Sequence, residues 1–153
     1  MTQTFIPYPD LTHSIEVLDT YTLAESRAAV LTILDVIHEK VSPVKPWEGH
    51  PELRKWLGHE PVLCEFGMLL AERTEQVSRM HVAQQGYRER IEEHFELATA
   101  GDYTLAKPDW WGLHDFHLAE KAALMRRAPA HYANHFEGVS MDIGPWWMMG
   151  RWH

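Results

Sequence analysis

Apolar residues in this chain recur at i, i+3, i+4 spacing, and prolines stand where those runs can begin. That pairing selects helices, because strands need an alternating pattern and proline is tolerated at a helix start but not inside it. Val30, Ile33, Leu34, Ile37 and Val41 form one apolar face in a run that opens at Thr22. Ser42-Pro43-Val44-Lys45-Pro46 breaks that run. Pro51 suits the first position of a short helix ending at Gly58, and Pro61 does the same for the next. There Val62, Leu63, Phe66, Leu69, Leu70 and Val77 line one side. Segments 22–41 and 61–80 are therefore predicted to be the longest core helices. Asp10 can cap a short helix over 11–18, and 115–127 reads as a helix stopped by Pro129. Segment 84–100 is a charged helix closed by Gly101, with Tyr87, Ile91, Phe95 and Ala98 on one stripe. The fold class expected is mostly α, one compact multi-helix domain over 1–153. Within it, 84–101 is expected as an inserted arm and 138–153 as an irregular Trp- and Met-rich tail.

Charge limits the partners. The chain has 22 acidic and 14 basic side chains, for a net charge of −8. Duplex-DNA binders draw much of their affinity from Lys and Arg at phosphates, so this balance weighs against a broad DNA-binding face. The bases can still gather in one patch, since total charge does not set its distribution. Cys64 is the lone cysteine, which excludes an intramolecular disulfide and fits a reducing, cytoplasmic setting. No apolar run approaches the roughly 20 residues that span a bilayer. No basic, apolar leader precedes Phe5-Ile6-Pro7-Tyr8-Pro9, whose stiff and bulky residues predict a packed amino-terminal segment.

The run Thr4-Phe5-Ile6-Pro7-Tyr8-Pro9-Asp10, followed by an apolar helix ending in Leu18-Asp19, resembles the opening of small actinobacterial and phage proteins. Those are grouped with the pyrimidine-dimer DNA glycosylases, relatives of phage endonuclease V. The similarity continues through Trp47-Glu48-Gly49-His50-Pro51-Glu52-Leu53-Arg54-Lys55-Trp56, Gly58-His59-Glu60, Phe116-His117 and 124–132. The resemblance implies that fold and a base N-glycosylase, with possible abasic-site lyase activity, acting on damaged or modified pyrimidines in duplex DNA. It implies no cofactor. In that chemistry an amino-terminal amine attacks the deoxyribose C1′ to form a Schiff base, a helix-borne glutamate assists, and arginines hold the phosphates and the flipped base.

Carried over residue by residue, the resemblance makes Thr2, once Met1 is removed, the amine, with Glu25 and Arg27 beside it. His50, His59, Arg54, Lys55, His117, Lys121, Arg126 and Arg127 are the substrate- and phosphate-binding candidates. The chain departs from the family pattern in two places. Where the glutamate is expected stand Ala28 and Ala29, and Ala119-Glu120-Lys121-Ala122-Ala123 replaces a polar run. Glu25 can substitute for the glutamate, but Thr22-x-x-Glu25 also spells a capping box. Alanine at both places favours a second reading, a catalytically silent relative that binds a protein partner or modified DNA. A third uses the histidines: His114 with His117 and His131 with His135 have helical spacings that metal ligands need, without a His-Glu-x-x-His motif or a cysteine pair, so no metal is assigned. Trp110, Trp111, Trp146, Trp147 and Trp152 can stack on bases or pack the core.

Overall fold

The computed structural model describes residues 2–40, 47–77 and 82–149, with the backbone alone at 82 and 83. Of the described residues 62% are helical, and none is in a strand. In order come α1 (Leu11–Glu16), α2 (Thr20–Ile37), α3 (Pro51–Trp56), α4 (Glu60–Val77), α5 (Val82–Ala98), α6 (His114–Arg127), α7 (Pro129–Tyr132) and a 3-10 turn at Trp146–Met148. No helix among the described residues is long and apolar enough to cross a membrane.

Contacts divide the chain into two compact units, Met1–Thr4 with Tyr21–Pro108, and Phe5–Thr20 with Asp109–His153. In the first, α5 packs against α4, and Gly67 of α4 leaves no room for a side chain there. A Cβ at Gly67 would lie 2.9 Å from Ile91 Cδ1 of α5 and 3.0 Å from Val30 Cγ1 of α2. Val30, Ile33, Leu34, Phe66 and Leu70 are fully buried around it, as the apolar spacing predicts. Ile37 is half-buried and Val77 is exposed at the end of α4.

Helix ends show where local chemistry acts. Asp10 caps α1, accepting from His13 N–H at 2.9 Å, and Pro51 opens α3 behind an N-cap His50. Helix α2 starts at Thr20, two residues before the expected start, so Thr22 is buried inside the first turn and Glu25 sits in the second. The capping-box reading of that pair is thereby corrected, because a box needs its first residue outside the helix. At the other end Glu39 adopts φ 56°. Lys40 N–H bonds Asp35 O at 2.7 Å and Glu39 N–H bonds Val36 O at 3.2 Å, which is a Schellman closure with glutamate where glycine is usual. Residues 41 and 78–80 of the expected helices, and Gly150–His153 of the tail, lie outside the described residues.

Helix α5 buries a different stripe from the expected one. Gln84, Tyr87, Ile91 and His94 face inward, while Phe95 is 43% exposed. Two polar positions enter the core because α2 and α4 supply partners for them, and Phe95 is displaced to the flank.

In the second unit α6 packs on α7 and on the 3-10 turn. Phe116 stacks on Trp110, with ring centroids 4.3 Å apart, and Trp146 lies tilted against it at 5.4 Å. Both tryptophans are buried and serve packing. Tyr132, fully buried, donates its hydroxyl to Asp19 Oδ1 and accepts from Asp19 N–H.

Candidate functional site

One turn of α3 places Glu52, Lys55 and Trp56 on its buried face, at i, i+3 and i+4. All three reach Thr4. Glu52 accepts from Thr4 N–H at 3.1 Å and from its hydroxyl at 2.6 Å. Lys55 Nζ donates to Thr4 O at 2.7 Å and lies 3.6 Å from Glu52 Oε1. Trp56 Nε1 donates to Thr4 Oγ1 at 3.0 Å. Every polar group of Thr4 is thus taken, and the segment is held two residues beyond Thr2, which is half-buried. Lys55 as a phosphate ligand is corrected here: its side chain is 0% exposed, and its ammonium neutralises an internal carboxylate. The Trp-Glu-Gly-His-Pro-Glu-Leu-Arg-Lys-Trp run is a clamp for the amino-terminal segment.

The neighbouring candidates divide. His50 Nδ1 accepts from Glu52 N–H at 3.1 Å, which makes it a helix cap. His59 Nδ1 donates to Ala106 O at 2.9 Å. Arg54 lies on the exposed side of α3. Glu25 is half-buried on α2. Arg27 turns toward α5, its guanidinium 4.3 Å above the Tyr87 ring and its Nη2 donating to Gln84 Oε1 at 2.9 Å. Those contacts fasten α2 to α5.

In the second unit His117 is 4% exposed. Its Nε2 accepts from Gly112 N–H at 2.9 Å, so the ring proton sits on Nδ1, which donates to Ile6 O at 2.8 Å. Both nitrogens are spent on backbone, and a substrate-binding role for His117 is corrected to a structural one. Lys121 stands 4.7 Å over the Tyr8 ring, and burial lowers its ammonium pKa. Arg127 is exposed, with its guanidinium 5.1 Å from the Phe5 ring centre. Arg126 donates to Met141 O at 2.9 Å and Ile143 O at 2.6 Å, tying down the tail. Lys121 and Arg127 therefore flank the Phe5–Tyr8 stretch through their ring contacts.

A cluster that sequence reasoning missed lies between α2 and α5. Asp35 Oδ1 meets His94 Nε2 at 2.7 Å, and Arg90 Nη2 donates to Asp35 Oδ2 at 2.6 Å. His94 Nδ1 in turn meets His38 Nδ1 at 2.7 Å. An ionised carboxylate only accepts, so the proton on Nε2 belongs to His94. With both rings neutral, His94 Nδ1 accepts from His38 Nδ1–H, leaving the lone pair of the chain at His38 Nε2. Burial, then the His94 charge, pull the His38 pKa below the usual imidazole range; Lys40 adds to this, while Glu60 and Asp35 oppose it. The cluster edges a cleft of about 680 Å³ that Lys40, Glu93 and Glu96 also line. The signal available beforehand was polar spacing: Asp35 and His38 are three apart, Arg90 and His94 four apart. The pattern becomes legible only once α2 is known to face α5.

Among the described residues no group of three His, Cys, Asp or Glu is arranged to hold a metal ion. His131 Nε2 bonds Val17 O at 2.9 Å, which accounts for one of the spaced histidines. Burial raises the Cys64 thiol to about 12, with Glu60 adding to it, so it is no nucleophile at neutral pH. No family model, no curated protein and no solved structure matches the chain.

Proposed function

We propose that this chain acts on DNA in the manner of the pyrimidine-dimer glycosylases, with an amine at Thr2 as nucleophile. The observation that supports the reading is the clamp on Thr4. Burying a carboxylate and an ammonium costs several kcal/mol per ion before their attraction offsets it, and apolar packing fills a core at less cost. Such a network is suited to fixing the position of the residues just before it. In the proposed reaction the amine attacks C1′ and loses a proton, and the C1′–N bond breaks with its electron pair leaving on the base, which takes up a proton; the C1′–O4′ bond then opens as its oxygen is protonated, and the sugar becomes an iminium. In this reading Glu25 on α2 serves the accompanying proton transfer. Lys121 and Arg127 are among the cations that this reading assigns to phosphate.

Borohydride trapping on an abasic-site duplex, beside an intact-mass measurement that reads whether Thr2 bears the free amine, tests this. A covalent adduct is expected, and Glu25→Gln lowers its rate by about 10²–10⁴-fold. No adduct on any abasic or damaged duplex overturns the catalytic reading in favour of a silent relative. Specific observations favour that second reading: Ala28 and Ala29 on α2, Arg27 engaged with α5, and Lys55 and His117 turned inward.

A further inference from the structure

Helices α4 and α5 pack together but do not close over their outer seam. A groove of about 500 Å³ runs between them, with Cys64, Met68, Ile91 and Phe95 along its floor and side. Phe95 is 43% exposed, a large aromatic on the flank of a helix whose buried stripe runs through other positions. Glu65, Glu92 and Glu96 stand along the same groove. Among the described residues no ion pair engages those three carboxylates, and Arg90 of α5 is committed to Asp35. The floor is thus apolar and the rim carries one sign of charge.

We propose that this groove is a docking site for a basic amphipathic helix of a partner protein. The shape follows from the walls: two packed helices leave a groove along their seam, into which a third helix fits by the same ridge-and-groove rule. From residue 61 to residue 68 α4 rises about 10 Å, so about two turns of the partner are covered. Its apolar residues at i, i+3, i+4 and i+7 lie on Met68 and Phe95, while flanking Lys or Arg side chains meet Glu65, Glu92 and Glu96. The chain's net charge of −8 adds long-range attraction for such a segment and repels nucleic acid from this face. Phe95, an aromatic bordered by charges, is the anchor that interface energetics favour.

The test uses the full chain, isotopically labelled for amide NMR, with a capped 14-residue Leu/Lys peptide of helical amphipathic pattern as the probe. A scrambled peptide of the same composition and a Leu/Glu version serve as controls. The amphipathic Lys peptide is expected to shift amides at 62–68 and 91–96, with binding that weakens as salt rises. Phe95→Ser, at a position exposed enough to leave the fold intact by the same spectrum, weakens binding about tenfold. The Leu/Glu peptide leaves the groove unperturbed. Shifts scattered over other acidic surfaces, equal response to the scrambled peptide, indifference to Phe95→Ser, or no response at millimolar peptide each overturn the proposal. None of these outcomes bears on the borohydride experiment, which does not involve the groove.

Discussion

Around Thr4, a carboxylate, an ammonium and an indole close on one residue, and every donor there has its acceptor. Between α2 and α5, Asp35, Arg90, His94 and His38 form a chain that is satisfied at one end and open at the other. Both networks put charge into the same unit. The first is sealed, and its value is geometric. The second ends in a half-buried imidazole and exchanges protons with water. Similar side chains therefore give rigidity in one place and pH response in the other, according to whether the last atom of the network reaches solvent.

The sealed network is broken most sharply by Lys55→Met. Removing the ammonium leaves the Glu52 carboxylate buried without its counter-charge, at a cost of about 3–5 kcal/mol. Urea unfolding reads this as a lower midpoint at unchanged slope. Pairing the change with Glu52→Gln recovers part of the loss if charge, rather than shape, is what the clamp balances. A loss below about 1 kcal/mol for Lys55→Met erases the distinction between the two networks.

The open network is the milder and the pH-dependent one. Asp35→Asn removes the acceptor of two charge-assisted contacts, one of them to the half-exposed Arg90, and costs about 1–2 kcal/mol. For the wild type the sign follows from His38. Its pKa is lowered in the fold, so between that value and the ordinary 6.5 the unfolded chain binds more protons. Stability is complete above about 6.5 and declines as pH falls toward the lowered value. Denaturant midpoints across that window show the slope, and His38→Gln flattens it. A slope that survives in His38→Gln assigns the pH response to some other group.

The smallest expected effect concerns the closure of α2, immediately beside the open network. Glu39 holds a left-handed conformation that glycine adopts without strain, so Glu39→Gly stabilises by about 0.5–1 kcal/mol. Its exposed side chain takes no part in the relay. The thermal midpoint should rise while the pH slope stays as it was, separating backbone strain from proton binding.

Much of the helical plan was readable from apolar spacing and proline placement: α1, α3, α4 and α6 begin within a residue of where those signals put them. What was not readable is instructive. The stripe of α5 looked like Tyr87, Ile91, Phe95 and Ala98 because those are its apolar residues, yet His94 and Gln84 are buried instead. Their partners, Asp35 and the Ala71 carbonyl, come from other helices, and a single helix carries no information about them. Lys55 and His117 were expected at a substrate surface for the same reason. Their partners are backbone carbonyls of Thr4 and Ile6, far away in sequence, and long-range backbone pairing leaves no local trace.

The inward face of α5 has a further consequence. Gln84 near one end and His94 toward the other are polar, while Tyr87 and Ile91 between them are packed against α4 at Gly67. Sliding α5 by one turn would replace an apolar contact with an apolar contact in the middle but strand an amide and an imidazole at the ends. The two polar residues act as stops that admit a single register. A helix held this way detaches as a whole rather than creeping, so its interior amides should exchange with solvent at one common rate, set by one opening event.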